Sequence, residues 1–237
     1  MANIKRVGII VVDFQADFTI YRNGSLAVPD SGEDYIRKVR SATKELSAAG
    51  FPIYATIDWH PSNHISFYTS HSGAKPFETI TLPDGRTQVM WPPHCVQGTS
   101  GAEVLIDSAY INYLIRSATD PDFESYTGFR DDGGHETELN DLLKKEGITT
   151  IAIYGIATDY CVKATALDAV KAGYRVVLVK ELCRGVAPDT SQAALKEMEA
   201  AGIEFMETFD LNKVKQLYSI GRCSYCIENR RGTVYVN

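Results

Sequence analysis

The sequence predicts one α/β domain of three layers, with helices on both sides of a mostly parallel sheet. Two observations carry this reading. The run at residues 7–12 is continuous rather than alternating, as in a strand buried on both faces, and residues 51–57, 148–154 and 175–179 read as further strands. Segments of helical periodicity separate them, and strand–helix–strand order implies parallel pairing through right-handed crossovers.

Taken in order, residues 7–12 form the first strand. Ile36, Val39 and Leu46 recur at helical spacing over 34–49, and Gly50 supplies the stop. Residues 51–57 form a second strand, and a long turn-rich segment follows from Asp58 to about Gly101. Residues 111–116 read as a third strand, 136–146 as a helix gathering Leu139, Leu142 and Leu143, and 148–154 as a fourth strand. After it, Gly155 makes a turn and Thr158 reads as the cap of a helix that runs to about Gly173. A fifth strand at 175–179, a helix at 191–200, a sixth strand at 203–206 and a last helix at 211–218 complete the pattern. Residues 1–220 are expected to form the domain and 221–237 a C-terminal extension.

Composition narrows the function classes. The 237 residues carry 44% hydrophobic and 23% charged side chains, ordinary for a globular chain, with a net charge of −6. No basic stripe interleaved with aromatics suggests a nucleic-acid partner, and no apolar stretch reaches membrane-spanning length. The N-terminal residues show no signal-peptide pattern, and five scattered cysteines do not make a secreted disulfide framework. A reducing, cytoplasmic location is the expectation.

The chemistry-bearing residues lie at predicted strand ends. Asp13 follows the first strand, Asp58 the second and Cys161 the fourth, and in a parallel sheet these carboxyl ends share one rim. Cys161 falls in the first turn of its helix, where free N–H groups and the positive dipole end favour thiolate, the attacking form. A buried structural cysteine is the plainer alternative. Asp13, directly after an apolar strand, is expected to be desolvated and raised toward a usable base, or else to cap the next turn. Asp58 and His60 stand at i and i+2, so an extended backbone points both to one side. Four of the five histidines, His60, His64, His71 and His94, lie between residues 60 and 94, which favours a metal site. Carboxylate plus imidazole suits zinc, iron or manganese, and the ligand types do not choose among them; one divalent ion, zinc, is the expectation. His71 reads as a hydrogen-bonded surface residue, His64 stays undecided, and Cys95 reads as core.

The pieces Asp13-x-Gln15-x-Asp17-Phe18, Gly24-Ser25-Leu26, Asp58-Trp59-His60-Pro61, Trp91-Pro92-x-His94-Cys95 and Gly155-Ile156-Ala157-Thr158-Asp159-Tyr160-Cys161 occur in that order. Together they resemble the nicotinamidases of the isochorismatase-like cysteine hydrolase family, from about Val7 to Phe205. The resemblance implies a Rossmann-like fold and hydrolysis of nicotinamide to nicotinate and ammonia through a cysteine thioester, in NAD salvage. It implies Cys161 as nucleophile, Asp13 as general base, and Asp58, His60 and His94 as metal ligands, with His64 a ligand in some members only. Phe18 and Trp91 would stack the pyridine. A cis Ile156–Ala157 bond would aim the Ala157 and Cys161 N–H groups at the oxyanion. Members are often homo-oligomers.

One position departs from the family pattern. Register on Asp120-Pro121 and Tyr126 puts Ser117 where the family carries a lysine. Arg116 should face the other side of its strand, and Lys163 should project away from Cys161. Impaired activity, compensation by another group, and a non-catalytic binder of metal and pyridine are the competing consequences; hydrolysis of another small amide is a further alternative. In the tail, Cys223-Ser224-Tyr225-Cys226 is a single CxxC pair, a weak metal signal, and residues 233–236 are β-prone.

Overall fold

The computed structural model describes residues 6–217. In chain order the elements are β1 (Arg6–Val12), α1 (Glu33–Ala48), β2 (Ile53–Asp58), β3 (Thr79–Thr81), β4 (Thr87–Val89), β5 (Tyr113–Ser117), α2 (Leu139–Lys145), β6 (Ile148–Ile156), α3 (Lys163–Lys171), β7 (Arg175–Arg184), α4 (Pro188–Ala200), β8 (Glu204–Met206) and α5 (Leu211–Gln216). Six strands make one sheet in the order β5-β2-β1-β6-β7-β8, and every pairing in it is parallel. The continuous apolar runs are its middle: Ile9, Ile10, Val12, Ile151 and Ile153 are fully or almost fully buried. Helices on both faces keep water from them. α1 packs with α5 and α3 with α4, and Tyr174, between α3 and β7, donates its hydroxyl to Asn140 of α2. The expected three-layer α/β/α architecture is what forms.

Strand order positions the site. From β1 the chain moves outward to β2 and β5, then returns to β1's other side for β6 and moves outward again. The sheet's switch point therefore lies between β1 and β6, where a crevice opens above the carboxyl ends of open parallel sheets. Gly155 allows the close approach there: a Cβ on it would lie 2.0 Å from the Val12 carbonyl oxygen, and its φ of +139° is one that L side chains rarely adopt.

The structure differs from the sequence reading in particular places. The turn-rich segment contains a short antiparallel hairpin, β3–β4, too brief and too polar to announce itself by alternation. β7 runs on to Arg184 past a register shift against β6. The turn bearing Cys161 is a π-turn over Thr158–Val162 before α3 begins; Ala157 precedes it, and no side chain caps it. Thr158 is thus the first residue of the turn, not its cap. The extension at 221–237, with Cys223, Cys226 and the β-prone end, lies outside the described residues. No helix of the described residues is long and apolar enough to cross a membrane.

Candidate active site

Asp13 leaves β1 with a positive φ of 45°, a conformation that aspartate tolerates better than most residues, and this turns its carboxylate back over the sheet edge. The Thr56 hydroxyl donates to Asp13 Oδ1 at 2.6 Å, and the Asp13 N–H donates to the Thr56 carbonyl at 3.1 Å. β1 and β6 are neighbours, so the Cys161 turn above β6 faces Asp13 and brings the thiol and the carboxylate within 4.8 Å of each other. Ligand-type atoms of Asp13, Asp58 and Cys161 all lie within 4.8 Å of one another.

Burial is the largest influence on both groups. It pushes the Asp13 carboxyl up to about 8, and the neighbouring Asp58 charge adds to the rise. Cys161 is pushed well above its ordinary value by burial and by the charges of Asp13 and Asp58. The expectation that the helix end favours Cys161 as thiolate meets an opposing environment: in the metal-free crevice, burial and then the neighbouring carboxylates raise the thiol despite the turn's N–H groups.

Ser117 explains part of that balance. β2 and β5 pair with Asp58 opposite Ser117, and the Ser117 hydroxyl donates to the Ile57 carbonyl at 3.0 Å and, more weakly, toward Asp58 Oδ1 at 3.4 Å. The side chain is buried at the rim where a longer cationic one would reach the crevice. Arg116 instead turns outward over the Trp59 ring, and Lys163 pairs with Glu197 at 3.2 Å. The charged groups that act on Cys161 are the carboxylates of Asp13, Asp58 and Glu124.

Asp58, His60 and His94 converge beside this pair, with one donor atom each inside 4.8 Å. Gln15 fixes the first of them: its amide donates to the Asp58 carbonyl at 2.8 Å and accepts the Asp58 N–H at 2.8 Å. Asp17 fixes the His94 loop by accepting the Cys95 N–H at 2.8 Å. These residues fit a divalent ion on three counts. His60 is completely buried, yet neither ring nitrogen has a partner. His94 Nδ1 lies 2.7 Å from the Pro92 carbonyl, so it carries the proton and leaves Nε2 a free lone pair. That Nε2 stands 3.6 Å from Asp58 Oδ2, close to the ~3.4 Å edge of a tetrahedron with bonds of about 2.1 Å.

His64 is not part of this group. Its Nδ1 accepts the Ser66 N–H at 3.3 Å, so Nε2 carries the proton and donates to the Phe123 carbonyl at 3.1 Å, which leaves that tautomer without a lone pair to offer. It groups instead with His60 and Glu124. His71 binds the Ile65 carbonyl at 2.7 Å, and Cys95 is a fully buried core thiol, as expected.

A narrow, mostly apolar pocket opens onto Cys161, with Asp58, His94 and Glu124 among its polar lining. Phe18 and Trp91 both line it, and Phe18 packs on the His94 ring with centroids 5.4 Å apart. The Trp91 indole N–H donates to the Tyr126 hydroxyl at 3.0 Å, and Tyr160 meets the same indole edge-on. Ala157, whose peptide bond to Ile156 is cis, lies in the wall next to the thiol. Sequence reasoning missed Glu124 and the wall tyrosines. Glu124 lies in a run of acidic residues where nothing local separates it from Asp122, and only the fold shows which one turns inward.

A thiol paired with a carboxylate at the switch point of a parallel sheet, beside a carboxylate–imidazole donor set, defines a class of α/β protein equipped for nucleophilic acyl chemistry. The isochorismatase domain model matches residues 7–210, and the chain belongs to that family. It is 40% identical over 208 residues to a nicotinamidase of Acinetobacter baylyi, covering 86% of this chain and 94% of that one. Among solved structures it is similar to the pyrazinamidase of Pyrococcus horikoshii in complex with zinc: TM-score 0.71, 39% identity, 86% of this chain and 99% of that one. It is also similar to a protein from L. infantum in complex with nicotinate: TM-score 0.72, 33% identity, 87% of this chain and 94% of that one.

Proposed function

We propose that this protein is an amidohydrolase that converts nicotinamide, and similar pyridine carboxamides, to nicotinate and ammonia, feeding NAD salvage. The observation that carries the reading is the approach of Asp13 to Cys161, within 4.8 Å, beside an aromatic-walled cavity that Cys161 lines together with Asp58 and His94 of the Asp58–His60–His94 group. Similarity over most of the chain to proteins named nicotinamidase supports it.

In this scheme Phe18 and Trp91 sandwich the pyridine ring and hold the carboxamide over Cys161, a placement that lowers the barrier by fixing the reacting atoms. Asp58, His60 and His94 would hold one divalent ion, zinc before iron or manganese, which supplies a Lewis-acid anchor for the ring nitrogen. Asp13 takes the Cys161 proton as sulfur attacks the amide carbon, and the Ala157 and Cys161 N–H groups receive the oxyanion. Asp13 then passes the proton to the departing nitrogen, so ammonia leaves and a thioester remains. Water, deprotonated by Asp13, cleaves the thioester, releasing nicotinate and returning the thiol. With Ser117 in place of a cation, turnover is real but slow. The free thiols of Cys95, Cys161 and Cys183 suit a reducing, cytoplasmic setting, and a homo-oligomer is the proposed assembly.

The test measures ammonia release from nicotinamide by wild type and by Cys161→Ala, with bound metal determined in both. Loss of turnover with metal content unchanged supports the scheme. Turnover that survives the alanine, and iodoacetamide, but stops with a chelator would instead identify a metal-activated water as the nucleophile.

A further inference from the structure

Glu124 has no role in the scheme above, yet it is 3% exposed and lines the cavity with Asp58, His94 and Cys161. It lies in the irregular segment between β5 and α2. A carboxylate so buried needs donors or a countercharge. Its Oε1 accepts the Ser125 N–H at 2.9 Å and faces His60 Nε2 at 3.6 Å. That second separation exceeds an ordinary N–H···O bond, so the carboxylate acts on the ring through its charge at short range. His60 has Asp58 and His94 on one side and Glu124 within 4.8 Å as well, and both of its ring nitrogens lack partners. A simple pair between a protonated His60 and Glu124 would leave the other ring nitrogen orphaned and would hold two buried charges without a direct hydrogen bond.

We propose that Glu124 is a member of the metal centre: a second carboxylate that holds His60 in its ligating orientation and raises the affinity of the Asp58–His60–His94 group for a divalent ion. It is a positioning residue, acting through His60, and the inference rests on the metal reading under Proposed function. The Ser125 N–H holds the carboxylate oxygen that faces the imidazole, so a segment far from residues 58–94 in sequence contributes to the site.

The experiment strips metal from the purified full chain and titrates Zn(II) and Mn(II) in competition with a chromophoric chelator, for wild type, Glu124→Gln and Glu124→Asp. The amide keeps an acceptor for Ser125 and removes the charge. The expected result is a Kd at least ~10-fold weaker for both ions in the Gln variant, with Asp intermediate and metal-free melting temperatures close to wild type. Wild-type Kd values in the Gln variant would overturn the proposal, with a lowered metal-free melting temperature marking Glu124 as a mere ion-pair partner of His60. Should the Gln variant fail to fold, the Asp variant decides: a Kd and a Co(II) absorption spectrum both unchanged from wild type would overturn it. A wild-type chain that binds no ion would refute the metal reading itself, a separately visible outcome.

Discussion

The Cys161 thiol and the Asp13 carboxylate lie within 4.8 Å of each other because β1 and β6 are adjacent parallel strands whose carboxyl ends meet at the switch point of the sheet. Neither residue reaches the other through local sequence. The base is given its direction by a left-handed turn at Asp13 and by the Thr56 hydroxyl, and the thiol by a π-turn above β6.

Asp13→Asn keeps the shape of the pair and removes the base. Nicotinamide turnover is expected to fall at least ~10³-fold, since the thiol then has no acceptor for its proton during attack. Ammonia release at saturating substrate measures it, with retained metal content showing that the neighbouring site is intact. Loss of less than tenfold would remove Asp13 from the role of base.

The same carboxyl gives a pH signature of stability in the metal-free protein. Burial, then the Asp58 charge, raises it from 3.8 in the open chain to about 8 in the fold. The folded state therefore binds a proton that the unfolded state has released. This contribution is fully present below about pH 3.8 and is lost as pH rises toward 8. The melting temperature of chelated protein should fall across that window, and Asp13→Asn should flatten the slope. Glu124, held well below its ordinary value by His60 despite its burial, acts in the opposite sense and only in acid, so the two effects separate.

Ser117→Lys places an ammonium at the end of β5, across the β2 pairing from Asp58 and among the carboxylates that now hold Cys161 protonated. An opposite charge within a few ångströms favours both thiolate and carboxylate. We expect kcat to rise about tenfold or more, equivalent to ~1.4 kcal/mol of barrier. A parallel Ser117→Met variant controls for the change in volume. A lysine variant no faster than the methionine one would show that the crevice is already compensated.

The layering, the six sheet strands and the three strand-end residues were legible because each rests on a local signal: a continuous aliphatic run, a helical stripe, a polar residue at the end of a strand. Asp58 and His60 showed through their alternate spacing. What stayed hidden depends on contacts between distant segments. The π-turn at Cys161 has no capping side chain to announce it, and the raised thiol follows first from burial and then from carboxylates of distant segments. His64 carries the same residue type as His60 but is consumed by Ser66 and Phe123, a distinction that no spacing rule contains. Gln15 reads as one more polar residue after a strand until its amide is seen bridging Asp58 and the Ala102 carbonyl.

Tyr126 tests how the aromatic wall is held. Its hydroxyl is the partner of the Trp91 indole N–H, and Tyr160 meets the same indole edge-on, so the plane of the ring is fixed from two sides. Tyr126→Phe removes one oxygen and leaves a part-buried N–H without an acceptor, a loss of about 1 kcal/mol. Because Trp91 positions the ring rather than the reacting carbon, the loss should appear as substrate binding. KM for nicotinamide is expected to rise about fivefold with kcat within twofold, which is what removal of an interaction equal in ground and transition states produces. Steady-state kinetics on the Phe variant measures both constants. An equal fall in kcat at unchanged KM would instead place the tyrosine hydroxyl in contact with the reacting amide.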